Sequence, residues 1–199
     1  MSNLQSDIDY MKSLAESGAR GPVKNGATLF WAGLLYGAAA VGQYAMAIGW
    51  LPRTQVIAVS LWFGASIVFG IIAFTFGRGR NRIEGPVSNR AVNSVWSAVG
   101  IGIVMFIVCT AIVANLNNSF QPISYLMAPV VLLMYGMGWW VSGQMSGTGW
   151  LKLVSAGCFL GAPALAFLGD RPEQLLAYAV ALLLFAMVPG LVLMRAEKG

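Results

Sequence analysis

Six stretches of the chain run apolar for the length of a bilayer crossing: 27–51, 55–76, 91–114, 123–141, 150–168 and 175–194. A helix needs about 20 mostly apolar residues to traverse a ~30 Å hydrocarbon layer, and each stretch supplies them. Lys152, two residues inside the fifth, is the only charge among them. An Asp, Lys or Arg at mid-bilayer costs about 2.5–3.5 kcal/mol on insertion, so segments this clean enter a membrane readily. The runs are continuously apolar, whereas barrel strands alternate over about 10 residues, so the pattern predicts helices. Short connections at 52–54, 115–122 and 169–174 pair them. The expected fold is an all-α integral membrane protein: a six-transmembrane-helix bundle of three hairpins forming one domain over 27–194, with a cytoplasmic segment at 1–26 and a cytoplasmic tail at 195–199.

A different period governs the first residues. Leu4, Ile8, Met11, Leu14 and Ala15 recur at helical spacing, with Gln5, Asp7, Asp9, Lys12, Ser13 and Glu16 between them. Ser2 with Gln5 forms a capping-box pattern and Gly18 followed by Pro22 a stop signal, which predicts an amphipathic helix over 3–17. Helices that lie on lipid usually carry Lys and Arg on the polar face. This one holds three acids and one base, so it suits docking on the protein's own basic loop or on a partner as well as generic interfacial anchoring. Leu4, Ile8, Met11 and Leu14 are its candidate docking residues.

Composition agrees with the spans. Hydrophobic residues make up 58% of the 199 residues and charged ones 10%, against about 25% charged in a soluble domain. Of the twelve Lys and Arg, ten flank the spans on one side: Lys12, Arg20, Lys24, Arg78, Arg80, Arg82, Arg90, Lys152, Arg195 and Lys198. Only Arg53 and Arg171 face the other way. Basic loops are retained in the cytoplasm, which predicts an inner-membrane, multi-pass protein with both termini cytoplasmic. The net charge of +5 is then explained by insertion, with no nucleic-acid partner. The N-terminus lacks the pattern of a cleaved signal peptide, so the first span is expected to act as an uncleaved anchor.

Small residues four apart let helix backbones approach in lipid, and every span carries such a pair. Gly33 with Gly37, Gly138 with Ser142 and Gly157 with Gly161 are the candidate packing sites, alongside Ala38 with Gly42, Ser66 with Gly70, Ala98 with Gly102 and Ala177 with Ala181. Pro129, Pro163 and Pro189 lie in the last three spans as candidate kink sites. Each is expected to free the carbonyl four residues earlier, at Tyr125, Phe159 and Phe185, for a neighbouring helix, water or a ligand.

The chemistry is sparse. His is absent, which excludes imidazole bases and His-ligated metal or haem. Cys109 and Cys158 are expected as small buried apolar residues, too different in depth to pair, and the ten Met as fillers of gaps between helices. The acids all lie outside the spans. The glycine-rich run 142–149 reads as a flexible loop but lacks the Gly-Lys-Ser/Thr step of a phosphate loop. No catalytic, metal or cofactor-binding residues are assigned, and no cofactor is expected. The expected function is that of a non-enzymatic accessory, assembly or regulatory subunit in the lipid bilayer, partnered as a homo-oligomer or within a larger membrane-protein complex. The alternative is a passive channel or facilitator for a small neutral solute, passing through the Pro-kinked helices of the last three spans.

Overall fold

The computed structural model describes residues 7–12, 26–78, 87–119 and 123–197. A short helix α1 covers 7–12, and its side chains are exposed. The helices that follow are α2 (Gly26–Ala47), α3 (Gln55–Arg78), α4 (Val87–Leu116), α5 (Met127–Ser146) and α6 (Gly149–Leu168). The last segment runs as α7 (Glu173–Leu182), a π-helical stretch at Leu183–Met187, and α8 (Val188–Ala196). Among the described residues, five helices are long and apolar enough to cross a membrane: Gln55–Phe76, Arg90–Leu116, Ser124–Ser146, Gly149–Leu168 and Glu173–Ala196. The protein is an all-α, multi-pass helical bundle.

The first predicted span is helical over 22 residues but is not one of those five. Gly, Ala, Tyr and Gln replace the larger aliphatics in it, and these lower its hydropathy. What it lacks in apolar bulk it returns as close packing. α2 lies along the final segment, where a Cβ on Gly33 would stand 2.5 Å from the Met187 backbone nitrogen and one on Gly26 2.5 Å from that of Met194. The two backbones touch with no side chain between them.

Adjacency places the helices in a row rather than in a closed ring. α3 packs on α2, α2 on α7 and α8, α7 and the π-helical stretch on α6, α7 also on α5, and α4 on α5, with α5 and α6 forming the most extensive pair. Burial follows the row. Half of the hydrophobic window of Ser124–Ser146 is buried, against 11% for Arg90–Leu116 and none for Gln55–Phe76. The core therefore sits where α5, α6 and the last segment meet, built on Leu132, Trp139, Leu151, Cys158, Leu182 and Ala186.

Two expectations are corrected. The run 142–149 is not a loop: α5 continues to Ser146, leaving only Gly147 and Thr148 outside helix. Ser142 Oγ donates to Gly138 O and Ser146 Oγ to Ser142 O, both at 2.7 Å, so the hydroxyls bond back along the helix instead of unravelling it. Gly147, at φ 68°, then ends it in the left-handed conformation that glycine adopts freely. Cys109 is exposed rather than buried, because α4 packs chiefly on α5 and turns the rest of its surface outward. Cys158 is buried, and both thiols are free.

Candidate functional site

The polar groups inside the bundle pair across helices. Pro189 cannot donate to the carbonyl of Phe185, and the backbone around it widens, with Val188 N–H bonding Leu183 O five residues back. The freed Phe185 carbonyl accepts a hydrogen bond at 2.7 Å from the indole Nε1 of Trp139, a fully buried residue of α5. The Phe185 ring covers Gly157 of α6, where any Cβ would strike it. Trp139, Phe185 and Gly157 thus lock three helices at one level.

Pro129 occupies a milder place. The span expected to begin at 123 opens with a 3-10 turn, Ile123–Leu126, and Pro129 falls in the first turn of α5, where an N–H has no partner within the helix anyway. The Tyr125 carbonyl accepts at 2.9 Å from Gln174 Nε2, which also donates to Leu165 O at 3.0 Å. One buried amide near the start of α7 therefore ties the ends of α5 and α6 together. Pro163 lies within α6 at an exposed position.

Four of the packing glycines lie against neighbouring helices. Gly33 abuts Met187, Gly37 lies 3.8 Å from Ala179 O, Gly138 faces the Trp96 ring at 3.2 Å and Gly161 approaches Leu132 at 3.0 Å, each measured from where a Cβ would stand. Ser142 accepts from Trp96 Nε1 at 3.0 Å, and the Trp96 ring meets Trp139 and Tyr135 edge-on, with centroids 5.0 and 5.5 Å away. On the far side of the row, Trp62 Nε1 donates to Gln43 Oε1 and Tyr36 OH to Ser66 Oγ at 3.3 Å, joining α3 to α2. Sequence spacing alone marks neither Trp139 nor Gln174 as a donor to these carbonyls. Both are singular residues whose partners are backbone carbonyls 46 and 49 residues away.

Ile8 and Met11 of the predicted docking helix are exposed on α1, at 46% and 62%. Leu4 and Leu14 lie outside the described residues. On α3, Phe63, Ser66, Ile67, Gly70 and Phe74 share one helical face and are all exposed, and a Cβ on Gly70 would meet nothing within 4 Å.

The two ends of the bundle differ. At one, the Gly26 N–H donates to Glu197 Oε1 at 3.3 Å, so the start of α2 and the end of α8 lie together. At the other, a cavity of about 420 Å³ opens between the α2–α3 turn, the 3-10 turn before α5 and the α6–α7 turn. Arg53, Asp170 and Arg171 line it together with Gln43, Tyr125 and Gln174. Among the described residues, no group of three or more His, Cys, Asp or Glu is placed to hold a metal ion. The chain matches no protein-family model, no curated protein and no solved structure.

Proposed function

We propose that the protein is a non-enzymatic accessory, assembly or regulatory subunit of the inner membrane that packs against a second copy of itself or a larger membrane complex. The observation that carries this reading is the edge helix α3. It is a membrane-length apolar helix with no buried residue in its hydrophobic window, yet it holds the small residue Gly70 open beside the exposed Phe63 and Ile67. Elsewhere in this bundle, small residues of that kind receive a neighbouring helix. In lipid, close approach at such positions is a main source of helix association.

In this reading six helices cross, in three hairpins. α2 has the length for it, at 22 residues against about 20 required, and starts beside the end of α8. The ten basic residues on the terminal side put both ends in the cytoplasm. Exposed Ile8 and Met11 on α1 suit a second contact there. Gentle detergent extraction followed by native mass spectrometry tests the proposal. The expected result is a dimer or a retained partner that Gly70→Leu weakens, and a lone monomer in both proteins overturns it.

The second reading, a facilitator for a small neutral solute, draws on the cavity that reaches Tyr125. Against it, the carbonyls of Tyr125 and Phe185 are already bonded to Gln174 and Trp139. Solute flux into liposomes no faster than into empty vesicles removes this reading.

A further inference from the structure

Positive charge on the translocated side of a membrane protein is disfavoured, yet among the described residues two Arg lie at the end of the bundle away from the termini. Those two, Arg53 and Arg171, are 118 positions apart in sequence, yet both line the same cavity. Asp170 is the single acid in its wall, so the lining carries one net positive charge. Among the described residues no ion pair occupies either guanidinium.

Arg53 is held in place. Its Nε donates to Met46 O at 3.0 Å and its Nη2 to Ala47 O, which anchors the guanidinium on the last carbonyls of α2. A guanidinium has five N–H donors, so three remain for a ligand. The rest of the lining is divided. Ser124 and the Gln43 and Gln174 amides supply polar groups, while Met46, Ala58 and Leu175 supply apolar wall. Three residues before Arg53, Trp50 is 82% exposed. An exposed Trp at a helix end marks the headgroup level of a bilayer, so the mouth of the cavity opens where lipid phosphates lie.

We propose that this cavity is a binding site for a phosphate-bearing anion, its phosphoryl oxygens held between Arg53 and Arg171 and its apolar portion against Met46, Ala58 and Leu175. Arginine suits this task because its planar donor fork matches phosphate oxygens. The depth of the mouth favours a lipid headgroup over a soluble phosphate ester, and the two sources are separable by experiment.

Native mass spectrometry of the full chain, titrated with phosphatidylglycerol, phosphatidylcholine or glycerol 3-phosphate, is the test. The site predicts retained phosphatidylglycerol, reduced about tenfold by Arg171→Gln and unchanged by Arg195→Gln at the opposite end. Arg53→Lys keeps the charge but loses the fork, and is expected to weaken retention while the protein remains folded. Arginine-dependent binding of glycerol 3-phosphate without lipid retention upholds the site and assigns it a soluble ligand. Equal retention by wild type and Arg171→Gln, with no glycerol 3-phosphate bound, overturns it. The association state appears in the same spectra, so loss of the subunit reading leaves the lipid result independent.

Discussion

Trp139 has no exposed surface, and its indole nitrogen is committed to a carbonyl that Pro189, on another helix, has released. In hydrocarbon an unpaired carbonyl has no water to turn to, which makes this one bond more consequential than its length suggests. Trp139→Phe keeps most of the ring and removes only the donor. Interhelical hydrogen bonds in membranes average about 0.6 kcal/mol and reach ~1.7, so a loss of about 1–2 kcal/mol is expected for a fully buried acceptor. Reversible unfolding in mixed micelles measures it. Gln174→Leu is the companion case: it strands two carbonyls at once, and is expected to cost at least as much as Trp139→Phe in the same assay.

Between elements, the contrast is between glycines that are used and glycines that are free. Gly33 and Gly190 bring α2 and the final segment into backbone contact, and the atoms that a Cβ would meet belong to the chain itself rather than to a movable side chain. Gly33→Ala is expected to push these helices apart and cost about 1–3 kcal/mol, as overpacked cores do. Gly70→Ala adds a methyl into open space and is expected to leave the isolated bundle's stability unchanged or slightly raised. If thermal denaturation in detergent ranks the two equally, the packing described for α2 is incorrect. The π-helical stretch belongs to this scale as well. It absorbs the missing donor of Pro189 where α2 crosses, so α2 packs against an irregular backbone in which the Leu183 and Phe185 carbonyls both accept hydrogen bonds.

For the molecule as a whole, the row of helices leaves α3 and α4 at its two ends with little buried surface, and among the described residues sets Arg90, Lys152 and Arg195 at the terminal end and Arg53 and Arg171 at the other. The proposed orientation predicts that a fluorescent protein fused after Gly199 is bright, while a phosphatase that needs the oxidising outer compartment is inactive there. Fusion within the α2–α3 turn should reverse both signals. An active phosphatase at the C-terminus would invert the topology, and would carry the cavity lined by Arg53 and Arg171 to the cytoplasmic face.

The sequence by itself determined the helical class, the presence of several membrane-length apolar segments and the rarity of charge within them, because lipid imposes those requirements residue by residue and over windows of about 20 positions. It also marked Gly33, Gly138 and Gly157 as contact points and the Tyr125 and Phe185 carbonyls as acceptors in need of donors. It misjudged 142–149, where Ser142 and Gly143 are buried in helix and Gly143 packs on Leu151 and Lys152 of α6, a contact that glycine content does not reveal. It also misjudged Cys109, since apolarity along a span does not say whether a position faces a helix or lipid. Only the tertiary structure decided that Trp139 and Gln174 supply those donors, that α3 is an edge, and that Arg53 and Arg171 share one cavity. Each of these depends on which helices become neighbours. In a bilayer both lipid and protein interior are apolar, so hydrophobic patterning carries almost no information about that choice.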